Sequence, residues 1–116
     1  MQNLISAMKA LSDETRLRIL NLLLERECCV CEVMQVLDIS QSRASRNLGI
    51  LEKAGFLKSR RIGTWMLYSI DWRTENRSIS SLAESLRNVL VNDETLKRDI
   101  ERMKQAERLC PESCRS

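Results

Sequence analysis

Val30-Cys31-Glu32-Val33-Met34-Gln35-Val36-Leu37-Asp38-Ile39-Ser40-Gln41-Ser42-Arg43-Ala44-Ser45-Arg46-Asn47-Leu48 is the stretch whose pattern decides the fold. Val30, Val33, Met34 and Leu37 recur at i, i+3, i+4 and i+7, the spacing of one buried helix face. Asp38-Ile39-Ser40 breaks that rhythm as a short turn, and Ser40 is a residue type that caps a following helix. In the second helix Ala44, Leu48 and, just beyond, Leu51 form the inner face. Gln41, Ser42, Arg43, Ser45, Arg46 and Asn47 lie towards solvent, and Gly55 follows the last helical residue as a C-terminal glycine should. Two short helices joined by a tight turn, the second polar and basic outside, match a helix-turn-helix with its recognition helix over about 41–54.

Downstream, Phe56 to Arg61 and Thr64 to Ile70 read as two strands, with Gly63 supplying the turn between them. This hairpin, over about 57–70, carries Lys58, Arg60 and Arg61, and a basic hairpin directly after a recognition helix is a wing. Trp65 and Tyr68 on it read as core. Upstream, Leu4, Ile5, Met8 and Leu11 share one face of a short helix. Ser12 or Asp13 can cap the next helix, whose apolar residues Leu17, Ile19, Leu20, Leu22, Leu23 and Leu24 nearly surround the axis and predict a buried central element. Ile79, Leu82, Ala83, Leu86, Val89 and Leu90 make an amphipathic helix, and Leu96, Ile100 and Met103 a second stripe. Helical pattern therefore covers about 76–109, with Asn92-Asp93 either separating two helices or lying along one. The expected architecture is mainly α with a small β-hairpin, an α+β winged helix-turn-helix in a single domain over 1–109, followed by a loose cysteine-containing tail over 110–116. The terminal stripes are core in the simplest reading. In a chain this small they also imply a dimer face, with Leu4, Met8, Leu82, Leu86 and Leu90 as its candidates.

The charge distribution fits a polyanionic partner. The net charge is only +3, yet the segment 41–61 holds six basic residues against Glu52 alone, which leaves the remainder acidic. Gln41, Ser42, Ser45 and Arg46 are the candidate base readers in the major groove; Arg43, Lys58, Arg60 and Arg61 are better placed for phosphate, and Asn47 shares the same polar surface. No leader pattern opens the chain, and the apolar run near Ile19 to Leu24 is far too short to span a membrane, so the cytoplasm is the expected compartment. Thiols there are reduced, which makes clustered cysteines ligands or reactive groups before disulfides. The chain has no histidine, so mixed histidine–cysteine zinc sites and histidine catalysis are excluded.

Glu27-Cys28-Cys29-Val30-Cys31-Glu32-Val33 places three thiols within four residues at the start of the first helix of the helix-turn-helix. A single buried cysteine is usually a small apolar core residue; three so close together favour a soft-ion site, because thiolates bind soft ions and a helix N-terminus favours negative charge. On an ideal helix Cys29 and Cys31 point about 200° apart, so binding both should unwind or shift the helix start and move the recognition helix with it. Cys28 and Cys31, three apart, would share a face. The expected assignment is Cys29 and Cys31 as the switch and Cys28 as third sulfur. Cys110 and Cys114 are an alternative source of ligand, including from the other protomer, or a separate site; four or more sulfurs would suit cadmium, lead or zinc.

These motifs resemble a known family. Ala10-Leu11-Ser12-Asp13-Glu14-Thr15-Arg16-Leu17-Arg18-Ile19-Leu20 is similar to the opening signature of the ArsR/SmtB metalloregulatory repressors. Ser40-Gln41-Ser42 through Ser45, with Leu48 and Leu51-Glu52-Lys53-Ala54-Gly55-Phe56-Leu57, resembles their recognition helix, and the cysteine stretch resembles the thiol box of the arsenic-responsive branch. Cys28 replaces that box's usual leucine, Met34 stands where some arsenic sensors carry a third cysteine, and Arg46 replaces a common histidine. The resemblance implies a homodimer held by its first and last helices. It also implies repression at a two-fold symmetric operator, relieved when an inducer ion binds. As(III) or Sb(III), which prefer three sulfurs, is the expected inducer, and DNA binding itself needs no cofactor. Two alternatives on the same fold are a Cd/Pb/Zn-responsive repressor and a thiol-redox repressor. A thiol-redox enzyme built on Cys28-x-x-Cys31 would need a βαβ setting that the pattern lacks, and a metal carrier would have no use for the recognition helix and wing.

Overall fold

The computed structural model describes residues 1–107. The elements run α1 (Gln2–Leu11), α2 (Glu14–Glu25), β1 (Cys28–Cys29), α3 (Val30–Leu37), α4 (Gln41–Lys53), β2 (Leu57–Ile62), β3 (Trp65–Ile70), α5 (Arg77–Leu90) and α6 (Glu94–Gln105). The three strands form an antiparallel sheet in the order β1-β3-β2, with Leu57 opposite Ile70 and Ile62 opposite Trp65 in the hairpin. Gly63 makes the hairpin turn with φ of +59°, a backbone that L side chains seldom adopt. This is the expected winged helix-turn-helix: α3 and α4 are the helix pair, and β2–β3 the wing. The sheet contains no parallel βαβ unit among the described residues, and no helix there is long and apolar enough to cross a membrane.

Local chemistry sets the boundaries. Asp13 caps α2 by accepting from the Arg16 amide, Ser40 caps α4 by accepting from the Arg43 amide, and Asp38 turns the chain between α3 and α4 in the left-handed region at φ 54°. Asp93 caps α6 by accepting from the Leu96 amide, which decides the open question at Asn92-Asp93: two helices, not one. The core gathers Ile19, Leu20 and Leu22 of α2, Leu48 and Leu51 of α4, Phe56 and Ile79, all essentially inaccessible to solvent. The central helix is therefore α2, as its encircling apolar pattern predicts. The terminal stripes divide: Ile79, Ala83 and Met103 are buried, while Leu4 and Met8 are exposed at 40% and 51%.

One expectation fails at the cysteines. Cys28 and Cys29 are not helical; they form the two-residue strand β1, paired with Tyr68 and Leu67 of β3. The extended backbone puts alternate side chains on opposite faces, and that small difference re-sorts the thiols, as described below.

The last helix is fastened to α2 by polar contacts. Arg18 makes a two-pronged pair with Asp99, Nε to Oδ2 at 2.8 Å and Nη2 to Oδ1 at 2.9 Å, and Asn21 donates to the Leu96 carbonyl at 3.2 Å. Asp99 is 2% exposed, so removing it strands a half-desolvated guanidinium. Asp99→Ala is expected to cost about 2–3 kcal/mol, read as a lower urea midpoint at unchanged slope. A variant as stable as wild type would show that α6 is not held this way.

Candidate functional site

Cys29 is the N-cap of α3, in extended backbone (φ −88°, ψ 167°). Its amide donates to Glu32 Oε1 at 2.9 Å while its sulfur faces the Glu32 amide, a capping box in which a thiol takes the place of the usual serine. Glu32 is 2% exposed and is neutralised by Arg26, Nη2 to Oε2 at 2.8 Å. Because Cys29 lies outside the helix and Cys31 in its first turn, the 200° separation of an ideal helix does not apply. The two thiols hydrogen-bond one another and share a small cluster with Leu67 and Met34. The expected unwinding of α3 is thus unnecessary for both sulfurs to meet one ion.

Cys28 faces the other way, into the main core. Its sulfur lies 3.7 Å from Met103 Sδ and 3.7 Å from the Arg26 carbonyl oxygen. The assignment of Cys28 as the third sulfur is corrected by this placement, and strand alternation is the reason. Among the described residues no three of Cys, Asp or Glu are grouped to hold a metal, so two thiols are what this part of the chain offers. Cys110 and Cys114 lie outside the described residues.

The thiols also differ electrostatically from the expectation of a helix terminus. Burial, and then the hydrogen bond with Cys31, push the Cys29 thiol well above the ordinary cysteine range, with the Glu32 amide pulling the other way. Desolvation outweighs the pull of the Glu32 amide, so the Cys29 thiol stays protonated at neutral pH.

A cleft of about 110 Å³ opens over the pair, lined by Cys29, Val30, Cys31, Gln41, Thr64, Trp65 and Met66. It joins the thiols to the first residue of α4 and to the tip of the wing. Sequence reasoning gave Trp65 no role and did not single out Met66. The signal for the site's support was nonetheless present: a glutamate at the third helical position is the capping-box signature, here at Glu32.

The polar face of α4 divides in two. Ser42, Arg43, Ser45 and Arg46 are exposed, and Gln41 is half-buried in the cleft. Asn47 is buried, accepting from Arg16 Nη1 at 3.1 Å and donating to the Arg43 carbonyl at 2.9 Å. Arg16 in turn binds the Ala10 carbonyl at 2.6 Å. Asn47 therefore ties α1, α2 and α4 together, and its expected place on the DNA surface is corrected. Lys58, Arg60 and Arg61 are exposed along β2, with Arg60 paired to Glu27 at 2.8 Å.

Residues 13–59 match the model of the bacterial regulatory protein, arsR family. The arsenical resistance operon repressor of Escherichia coli is 35% identical over 97 residues, covering 71% of this chain and 83% of that one. The chain belongs to the ArsR family. Another relative, a cadmium resistance regulatory protein CadC homolog of Staphylococcus aureus, is 44% identical over 64 residues, 54% of this chain and 53% of its own. Among solved structures, the homodimeric winged helix-turn-helix DNA-binding domain of Mb0332 from Mycobacterium bovis superposes with a TM-score of 0.64 at 28% identity, covering 77% of this chain and 79% of that one. These relatives are named as regulators, and the shared fold makes α3 and α4 the helix-turn-helix pair.

The raised Cys29 thiol carries a pH signature. The unfolded thiol ionises near its ordinary range of about 8.5 while the folded one stays protonated. The unfolded state therefore binds fewer protons as pH rises through that range, and folding stability falls. Reduced, ion-free protein is expected to lose thermal stability between about pH 8 and 10, and Cys29→Ser to flatten that slope. An unchanged slope in the variant would refute the assignment.

Proposed function

We propose that this ArsR-family protein is a metal(loid)-responsive transcriptional repressor. It binds a two-fold symmetric operator as a homodimer in the cytoplasm and leaves it when As(III) or Sb(III) binds Cys29 and Cys31. The observation that carries the reading is the pair of buried, mutually hydrogen-bonded thiols beneath a cleft whose other walls are Gln41 of α4 and Trp65 of the wing. The relative named for arsenical resistance supports the choice of ion.

The coupling follows from the packing. Both thiols are about 1% exposed, so an ion with its own bonding radius cannot enter without displacing what covers them. Those covers are Leu67 of the wing and the cleft residues at the start of α4. An ion that binds the displaced arrangement better shifts the population away from the DNA-competent one. On the DNA side, Ser42, Ser45 and Arg46 are exposed for base edges, with Gln41 at the entrance; Arg43, Lys58, Arg60 and Arg61 supply phosphate contacts.

A cadmium-type response is the second reading, favoured by the relative named for cadmium resistance. Proton release separates the two. A divalent cation bound as thiolates expels thiol protons into the buffer, whereas arsenite carries them away as water. Titration of the reduced protein on labelled operator DNA, with anisotropy and pH recorded together, is expected to show arsenite-driven release without acidification. Cys29→Ser and Cys31→Ser should each weaken that release by about tenfold or more. A full response from Cys29→Ser would sink the reading.

The dimer is proposed to form through α1 and α5, where Leu4, Ile5 and Met8 are exposed beside the half-buried Leu82, Leu86 and Leu90. Exposed apolar clusters of this kind mark interfaces. Leu4→Glu with Met8→Glu should give a monomer by light scattering and cut operator affinity about 100-fold or more; a variant that stays dimeric would place the interface elsewhere.

A further inference from the structure

We propose that Arg16 and Asn47 are positioning residues for operator reading: together they fix the rotation of α4 about its own axis without touching DNA. The inference rests on the repressor reading above and extends it to residues behind the contact surface.

Asn47 is the one polar side chain of α4 that is buried, at 7% exposure. Its neighbours Ser45 and Arg46 are exposed, as are Ser42 and Arg43 a turn earlier. The other inward residues of α4, Ala44, Leu48 and Leu51, pack by apolar contact. Such contact holds a helix at its depth but is non-directional. A hydrogen bond has a preferred angle as well as a length, so Asn47 is the residue of this face that can index rotation.

Its partner is held from the other side. Arg16 lies in the first turn of α2, where its amide donates to Asp13 Oδ2 at 3.0 Å. Its guanidinium joins α2 to two other helices. Nη1 donates to Asn47 Oδ1 at 3.1 Å, Nε to the Ala10 carbonyl at 2.6 Å and Nη2 to the Lys9 carbonyl at 3.3 Å. Those carbonyls belong to the last four of α1, which that helix cannot pair within itself, and a cation there meets the negative end of the helix dipole. The planar fork is thus set by α1, and Asn47 takes its position from the fork. Asn47 Nδ2 donates to the Arg43 carbonyl at 2.9 Å, so both ends of its amide are engaged. Because α1 also carries the exposed Leu4, Ile5 and Met8, the same guanidinium indexes α4 to the proposed dimer face.

The magnitude shows what such indexing protects. Side-chain tips lie about 5–6 Å from a helix axis, so a turn of about 10° moves them by about 1 Å. Good N–H···O lengths span only about 0.5 Å, and a bidentate contact with a base edge is lost within that turn. Phosphate contacts carry no sequence information, and long flexible cations can follow the shift. Loss of the link should therefore fall on sequence reading and spare non-specific binding.

The test uses the full reduced, ion-free chain with labelled operator DNA and a random-sequence duplex of equal length, across a salt series below the melting range. Asn47→Ala is expected to bind the operator about tenfold or more weakly, to bind the random duplex as wild type does, and to keep the salt slope. Arg43→Ala, a proposed phosphate contact, should instead weaken binding to both duplexes and lower the slope by about one. Arg16→Lys keeps the charge but not the fork; it carries the same expectation as Asn47→Ala and decides the matter if that variant does not fold. Where both fold, the double variant should lose little more than either single one. Equal losses on both duplexes would reduce the pair to a support of the fold and overturn the proposal. So would unchanged operator affinity, a lowered salt slope, or additive losses in the double variant. Wild type that prefers neither duplex would sink the repressor reading itself, and this inference with it.

Discussion

The strand-to-helix transition between Cys29 and Val30 is the constraint on which the site depends. Glu32 closes it: its carboxylate accepts the Cys29 amide and is itself held by Arg26, so the cap amide of α3 is satisfied and the glutamate's charge is balanced inside the protein. With Cys29 fixed as cap and strand end, its thiol must fall on the side of Cys31, and Cys28 must fall on the opposite side. Had the helix begun a turn earlier, Cys28 and Cys31 would have met instead and Cys29 would have pointed away. One cap therefore decides which two of three neighbouring cysteines can act together.

Burial gives those two thiols opposing properties. Shielded from solvent, they behave as core, packing with Leu67 and Met34. Ionised, they would be unpaired charges in a dry pocket, which the raised Cys29 thiol shows to be unfavourable. A ligand that leaves neutral sulfur bonds, as arsenite does, meets less of this penalty than a divalent cation that needs two free thiolates. On the proposed reading the same burial makes the switch mechanical. Moving a repressor from mostly bound to mostly released takes a preference of about 10²- to 10⁴-fold for one arrangement, and a site already open to solvent has little packing to disturb.

Most of the fold was legible because its signals are local. Ser40 and Gly55 bracket the recognition helix, the encircling leucines mark α2, and Gly63 sits where the hairpin must turn. What escaped was non-local. Asn47 reads as one more polar residue on an outer face until Arg16, thirty-one positions earlier, arrives to bind it. Cys28 reads as a third ligand until the register with Tyr68 makes it a strand residue and Met103 takes its other side. The pairing of β1 with β3 is the hidden fact in the second case: a two-residue strand has no periodicity from which to be recognised.

That short strand also changes which part of the DNA-reading surface is nearest the thiols. The turn of Asp38 to Ser40 links α3 to α4, as expected of the motif, but β1 is bonded directly to the wing. Cys29 stands opposite Leu67, whose side chain packs on both sulfurs, and Glu27 reaches across to Arg60 at 2.8 Å. The Glu27–Arg60 pair is exposed enough to contribute little to stability, yet it sets the direction of a basic side chain that a phosphate would otherwise claim. A ligand pressing on Leu67 works on the β3 strand at its centre, four residues from the hairpin turn. A rigid two-stranded ribbon transmits a small tilt there as a larger displacement at its tip, where Arg61 and Trp65 lie. On the proposed reading the wing is thus the shorter mechanical path from the thiols to the DNA-facing surface, and α4 the second.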